Sequence, residues 1–186
     1  GYFAIAPELF VRQGDAASYA ETGPLIAEVV NRARDVQVMA DLDACVAWAK
    51  AQGADTTRLG ITGFCWGGRI VWMYAAHNPS LKAGVAWYGP LARAYAAGDR
   101  SPIEVAHRIK APMLGLYGAA DSGIPNDTVE QMRAALAAAG NTHSEIVLYP
   151  DTPHAFHADY RPNYRKAAAD DGWQRCLAWF KANGVA

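Results

Sequence analysis

Hydrophobic positions along the chain follow two alternating periods. Short apolar runs, "YFAIAPEL", "RLGITGF", "AGVAWYG", "APMLGLYG" and "SEIVLYP", are separated by longer stretches whose apolar residues recur at helical spacing. The runs predict strands and the stretches predict helices, because side chains alternate faces along a strand but return to one face every three or four residues in a helix. The stretch "DVQVMADLDACVAWAKAQG" puts Val38, Leu42, Val46 and Ala49 on one face, with Asp35 as candidate cap and Gly53 as stop. Trp66 to Ala76 predicts the next helix, closed at "HNPS" because Pro79 cannot continue it. "PLARAYAAGDRSPIEVAHRIK" reads as a loop with at least one short helix. "NDTVEQMRAALAAAG" reads as a helix opened by Asn126 or Asp127 and closed by Gly140. After the loop "DTPHAFHADYRPNYR", a C-terminal amphipathic helix runs through Trp173, Leu177 and Phe180.

Strands alternating with helices predict an α/β fold, with a mostly parallel sheet covered by helices on both faces. The 186 residues, 52% of them hydrophobic, suffice for one core, so a single domain over 1–186 is expected. The opening "GYFAIAPELF" resembles the middle of a strand and its exit loop. The expectation is therefore that the sheet's N-terminal strands lie upstream and that the domain is N-terminally incomplete. A chain beginning at Gly1 would expose a sheet edge, and poor folding with little activity is expected of it.

Charge narrows the partners. A net charge of −1 without clustered Lys or Arg argues against nucleic acid or an anionic membrane surface, and leaves a small molecule as the expected partner. The three cysteines, Cys45, Cys65 and Cys176, fit neither a metal pattern nor a disulfide framework, so no metal is expected. No apolar run approaches a membrane span, and no signal peptide is visible. A cytoplasmic location follows unless an upstream export signal intervenes, and monomer is the default state.

The chemistry concentrates at "ITGFCWGGR", where Cys65 stands at the end of a predicted strand with Gly63 and Gly67 on either side. This G-x-C-x-G is a cysteine version of the nucleophile elbow. A strand turning straight into a helix forces the nucleophile into a strained conformation, and residues two before and two after it are expected to need bare backbones. The sulfur then sits beside the positive end of the helix that starts at Trp66, whose backbone N–H can face a developing oxyanion. In such folds the acid and then the histidine follow the nucleophile, each on a loop after a strand. Asp121 in "AADSGIP" and His154 in "DTPHAF" stand at those places.

The segments "GFCWGGR", "YGAADSGIP", "YPDTPHAFHADYR" and "GYFAIAPELFVRQGD" together resemble the dienelactone hydrolase family over essentially the whole chain. The resemblance implies an α/β-hydrolase fold, a Cys-Asp-His triad at Cys65, Asp121 and His154, no cofactor, and hydrolysis of an enol-lactone such as dienelactone to maleylacetate in chloroaromatic degradation. Arg12 in "FVRQ" is similar to the family's arginine for the substrate carboxylate. A second arginine four residues after the histidine is replaced by Ala158, leaving Arg161 or Arg165 as candidates to reach the pocket. The family's thiol-pairing glutamate and second oxyanion donor would come from upstream sequence.

Other residues have plainer readings. Cys45 and Cys176 fit helix patterns and are expected in the core. His157 competes with His154, which is nearer the strand end. His77 reads as a helix-end residue, His107 and His143 as exposed, Asp127 as a cap and Asp151 as a turn residue. Of the aromatics Trp66, Trp72, Trp87, Tyr88 and Phe156, only Trp66 and Phe156 adjoin the predicted triad, and Phe156 is taken as a substrate contact. Three function classes follow: an enol-lactone hydrolase, a broader carboxylesterase or thioesterase acting on uncharged esters, and a non-catalytic protein with Cys65 as a redox-sensitive thiol.

Overall fold

The computed structural model describes residues 1–186. The chain divides into two compact units, one formed by Gly1–Thr56 with Arg93–Arg100 and the other by Thr57–Ala92 with Ser101–Ala186.

The first unit holds helices α1 (Thr22–Glu28) and α2 (Asp35–Ala51). Val29, Val30, Ala33, Val38, Met39 and Ala49 are its buried apolar residues. The expected α2 is present, but Asp35 lies inside its first turn and not at the cap. Its backbone N–H donates to Asp99 Oδ2 at 3.3 Å, so the acceptor for the helix start comes from residue 99. The run at residues 2–9 forms no strand, in contrast to its pattern. No strand in this unit offers it a ladder, and an extended segment without one gains no backbone pairing.

The second unit is built on strands β1 (Gly60–Phe64), β2 (Ala83–Trp87), β3 (Met113–Gly118) and β4 (Glu145–Tyr149), paired in parallel in the order β1-β2-β3-β4. Parallel neighbours require crossovers. Helices α3 (Trp66–His77), α4 (Pro102–Val105) and α5 (Asn126–Ala138) lie within them, and α6 (Lys166–Ala182) follows β4. Strand alternation assigns the faces. A Cβ added at Gly84 would meet Val71 of α3, whereas Trp87, three residues on, lies against Gly172 of α6. Both central strands are buried along their whole length, as their unbroken apolar sequences require. No helix is long and apolar enough to cross a membrane.

Helix α6 departs from its expected stripe. Its buried face is Ala168, Ala169, Gly172, Cys176 and Phe180, while Trp173 and Leu177 are 45% and 40% exposed. Small residues set this face, because a Cβ at Gly172 would come within 2.7 Å of the fully buried Trp87 ring. Close approach of the helix outweighs the burial of its larger side chains.

The β1–α3 turn depends on one bare position more than the other. A Cβ at Gly63 would lie 2.6 Å from the carbonyl oxygen of Gly67, whereas a Cβ at Gly67 would meet nothing within 4 Å. The expectation that both must be glycine therefore holds for Gly63 alone. Nearby, a Cβ at Gly89 would approach the Arg69 backbone nitrogen to 2.3 Å, so the end of β2 and the start of α3 touch backbone to backbone.

These contacts predict a contrast in denaturant unfolding. Gly63→Ala and Gly89→Ala should each lose about 1–3 kcal/mol through overpacking. Gly67→Ala, at an open helical position, should be neutral or gain about 0.4–1 kcal/mol. Equal losses at Gly63 and Gly67 would refute the assignment.

Candidate active site

All four strands run the same way, so their C-terminal ends share one edge of the sheet, where open α/β folds place their sites. Backbone hydrogen bonds continue beyond the ladder there. Cys65 N–H donates to Trp87 O at 3.0 Å, Tyr88 N–H to Leu116 O at 2.8 Å, Ala119 N–H to Tyr149 O at 2.8 Å and Ala120 N–H to Thr152 O at 3.0 Å. Each post-strand loop is thereby tied to its neighbour before any side chain is considered.

Cys65 occupies the turn from β1 into α3 with φ 53° and ψ −122°, a region that L-residues rarely adopt. Trp66 is the first residue of α3, so its N–H belongs to the donor-rich first turn beside the sulfur. Asp121 lies beyond β3, its side chain almost entirely buried, and His154 lies beyond β4. Asp121 Oδ2 is 2.6 Å from His154 Nδ1, while Asp121 Oδ1 accepts the Gly123 N–H at 2.8 Å and fixes the carboxylate. The imidazole also hydrogen-bonds Cys65. Both interactions, Asp121 first and Cys65 second, favour the imidazolium and raise His154 from 6.5 to about 9.

Two further positive-φ residues surround this group. Tyr88 (φ 37°) follows β2, and its ring meets the His154 ring edge-on at 5.1 Å. Ala155 (φ 60°) directly follows the histidine. With Cys65, three strained residues flank one imidazole, a clustering typical of functional sites. Burial is the main reason the Tyr88 phenol resists ionisation, and the Cys65 charge adds to it.

Cys65 opens into a cleft of about 780 Å³ lined also by Phe64, Tyr88, His157, Arg161 and Trp173. Ala158 lines it too, where the resemblance led one to look for an arginine. Of the two substitutes, Arg161 reaches the cleft, whereas the Arg165 guanidinium donates to the carbonyls of Pro162 and Tyr164.

The remaining candidates fall elsewhere. Phe156 is fully buried and packs edge-on against Tyr88 and Tyr149, at 5.1 and 5.3 Å, so it supports the histidine loop and does not face the cleft. Its alternating position explains this, since the neighbouring residues 155 and 157 are the ones that reach the cleft. Arg12 belongs to the first unit, where both terminal nitrogens bind the Asp41 carboxylate of α2. His157 is removed from Asp121 chemistry and sits among rings, with Trp87 at 4.6 Å. Cys176 is a core thiol that burial pushes up to about 11, and Cys45 is half-buried.

Tyr88 and Trp173 line the cleft although the sequence pattern assigns neither a place in the site. For Tyr88 a signal was present, because it directly follows a parallel strand. For Trp173 none was, because its exposure depends on the small residues elsewhere on α6.

The chain is similar to proteins of Methylorubrum extorquens and Escherichia coli K12, each named "Putative carboxymethylenebutenolidase". The first is 57% identical over 188 residues, spanning 100% of this chain and 64% of the relative. The second is 54% identical over 190 residues, spanning 99% of this chain and 68% of the relative. The chain thus spans about two thirds of the length of these curated relatives. A crystal structure described as a "Putative Dienelactone Hydrolase" from Klebsiella pneumoniae superimposes with a TM-score of 0.90 at 55% identity, covering 94% of this chain and 73% of that one. The parallel sheet with its flanking helices is accordingly an α/β-hydrolase fold. A model of the dienelactone hydrolase family matches residues 1–184, and the chain belongs to that family.

Proposed function

We propose that this chain carries the hydrolytic centre of an enzyme cleaving an enol-lactone or related carboxylic ester, of the dienelactone-to-maleylacetate type, through Cys65, His154 and Asp121. The observation that carries the reading is one imidazole held between a buried carboxylate at 2.6 Å and the Cys65 thiol, at the C-terminal edge of a parallel sheet. The name shared by the relatives supports the substrate class.

The proton inventory follows from the geometry. The reactive form of a cysteine is the thiolate, which requires the shared proton to reside on His154. Asp121 compensates that charge and orients the ring. The sulfur attacks the carbonyl carbon, and the carbonyl oxygen gains charge near the Trp66 N–H. Collapse breaks the carbon–oxygen bond to the enolate, which leaves with the His154 proton, and a thioester remains on Cys65. Neutral His154 then takes a proton from water as its oxygen attacks the thioester. Expulsion of the thiolate restores the starting state. An enolate leaves more readily than an alkoxide, which suits a cysteine to this class.

The broader carboxylesterase or thioesterase reading is favoured by a specific observation. Ala158 stands in place of a second cation, and Asp159 and Asp170 line the cleft beside Arg161.

Hydrolysis of dienelactone and of a neutral aryl ester, measured side by side, tests both readings. Cys65→Ala should lower kcat/KM on the active substrate by at least about a thousandfold. Lactone turnover supports the first reading and turnover of the neutral ester alone selects the second. Activity persisting in Cys65→Ala would overturn both.

The His154 pair predicts a pH dependence. Because its folded value lies above the ordinary 6.5, the stabilisation from the protonated pair is complete below 6.5 and is lost as pH rises through about 9. An NMR titration of the imidazole should find a midpoint near 9, moving down toward 6.5 in Asp121→Asn. A wild-type midpoint at or below 6.5 would show that the carboxylate does not hold this proton.

A further inference from the structure

The second unit exposes four large apolar side chains, Phe64, Tyr160, Trp173 and Leu177, and the first three line the cleft that contains Cys65. Isolated apolar residues on a surface are ordinary, whereas several converging in one concave site mark a surface that binds something. These are also all aromatic. The His157 ring lies between two of them, 5.3 Å from Phe64 and 5.9 Å from Trp173, and its edge meets the buried Trp87 ring at 4.6 Å. Trp87 in turn lies 5.2 Å from Phe64, so this buried ring packs against both. The result is a run of mutually tilted rings that begins one residue before the sulfur and extends along the cleft to α6.

We propose that Phe64, His157 and Trp173 form an aromatic platform that receives a flat, uncharged, conjugated portion of the substrate, making esters and lactones with an aromatic or extended unsaturated group the preferred class. The proposal rests on Cys65 as the nucleophile, since it is the sulfur that gives the platform a reacting carbonyl to orient, and on the second of the two readings above, since dienelactone itself carries a carboxylate. Three observations argue for this occupant over others. Flat rings held by a supporting ring offer area for a flat ligand with little side-chain entropy left to lose. Phe64 and Trp173 carry no charge, and burial, outweighing Asp159 and Asp170, holds the His157 imidazole below its ordinary range and so favours its neutral form. The carboxylates that act on that ring, Asp159 and Asp170, line the same cleft and oppose an anionic group, while the one guanidinium there, Arg161, lies with its central carbon 5.5 Å from the Tyr160 ring centroid.

Binding of ketones tests the platform separately from the chemistry, because they resemble the ester carbonyl but cannot be hydrolysed. Affinities of acetophenone, cyclohexyl methyl ketone and 4-acetylbenzoate would be measured by calorimetry or ligand-observed NMR on wild type, Cys65→Ala, Trp173→Leu and Trp173→Phe. Acetophenone should bind about three- to tenfold tighter than the saturated ketone, the range expected of aromatic pairing beyond area burial. This preference should persist in Cys65→Ala and Trp173→Phe and vanish in Trp173→Leu, which keeps an apolar side chain without its π-system. The charged 4-acetylbenzoate should bind more weakly than acetophenone. Equal affinity for the first two ketones, or a preference surviving in Trp173→Leu, would overturn the platform. Tighter binding of 4-acetylbenzoate would overturn the uncharged class. Trp173 is half-exposed on α6, so an unchanged unfolding midpoint is expected for its variants and confirms that the comparison is between folded proteins. Hydrolysis persisting in Cys65→Ala, with the ketone preference intact, would count against the nucleophile and not against the platform.

Discussion

Parallel pairing is the constraint from which the rest of this molecule follows. It requires every connection to cross over the sheet, and it puts every strand's C-terminal end at the same edge. Cys65, Tyr88, Asp121 and His154 each occur just after a different strand, in chain order. Residues up to ninety positions apart thus become neighbours without any of them needing to recognise another during folding. The backbone bonds beyond the ladder extend this effect, since they fix the loops at the level of the main chain.

Around that frame, the structure concentrates its unfavourable local geometry. Three non-glycine residues with positive φ flank His154, and the Gly89 backbone is pressed against Arg69. A buried relay steadies this corner. Trp72 Nε1 donates to the Tyr117 hydroxyl at 2.9 Å, which donates to the Gly89 carbonyl at 3.0 Å. Each such bond contributes about 1 kcal/mol net, and much more is lost if one partner is removed and the other left buried. The relay connects α3 and β3 to the loop that carries Tyr88, so the strain at the site is opposed by the packing of the core.

The sequence made the sheet legible because β2 and β3 are buried on both faces and carry unbroken apolar runs. The positions of Cys65, Asp121 and His154 were legible for the same reason, as each is counted from a strand end. What escaped was everything decided by partner availability. The run at residues 2–9 has the composition of a strand, but composition cannot supply a ladder. Helix α6 buries Ala168 and Gly172 in preference to Trp173, because distance of approach, invisible in a hydropathy pattern, sets its orientation. Phe156 was misjudged by one place in an alternating loop, where the neighbours reach the cleft and it does not. Arg12 has the chemistry of an anion anchor, but Asp41 already occupies its guanidinium.

The contact between Gly63 and Gly67 has a consequence for how such a site can change over time. The shape of the turn is set by a side chain missing at Gly63, not by the identity of the residue at its apex. Position 65 projects from a backbone that its neighbours have already bent. A different small side chain placed there would inherit the same orientation, the same helix end and the same neighbouring imidazole. The element carried at position 65 is thereby separated from the backbone that presents it, because the bend is enforced two residues earlier.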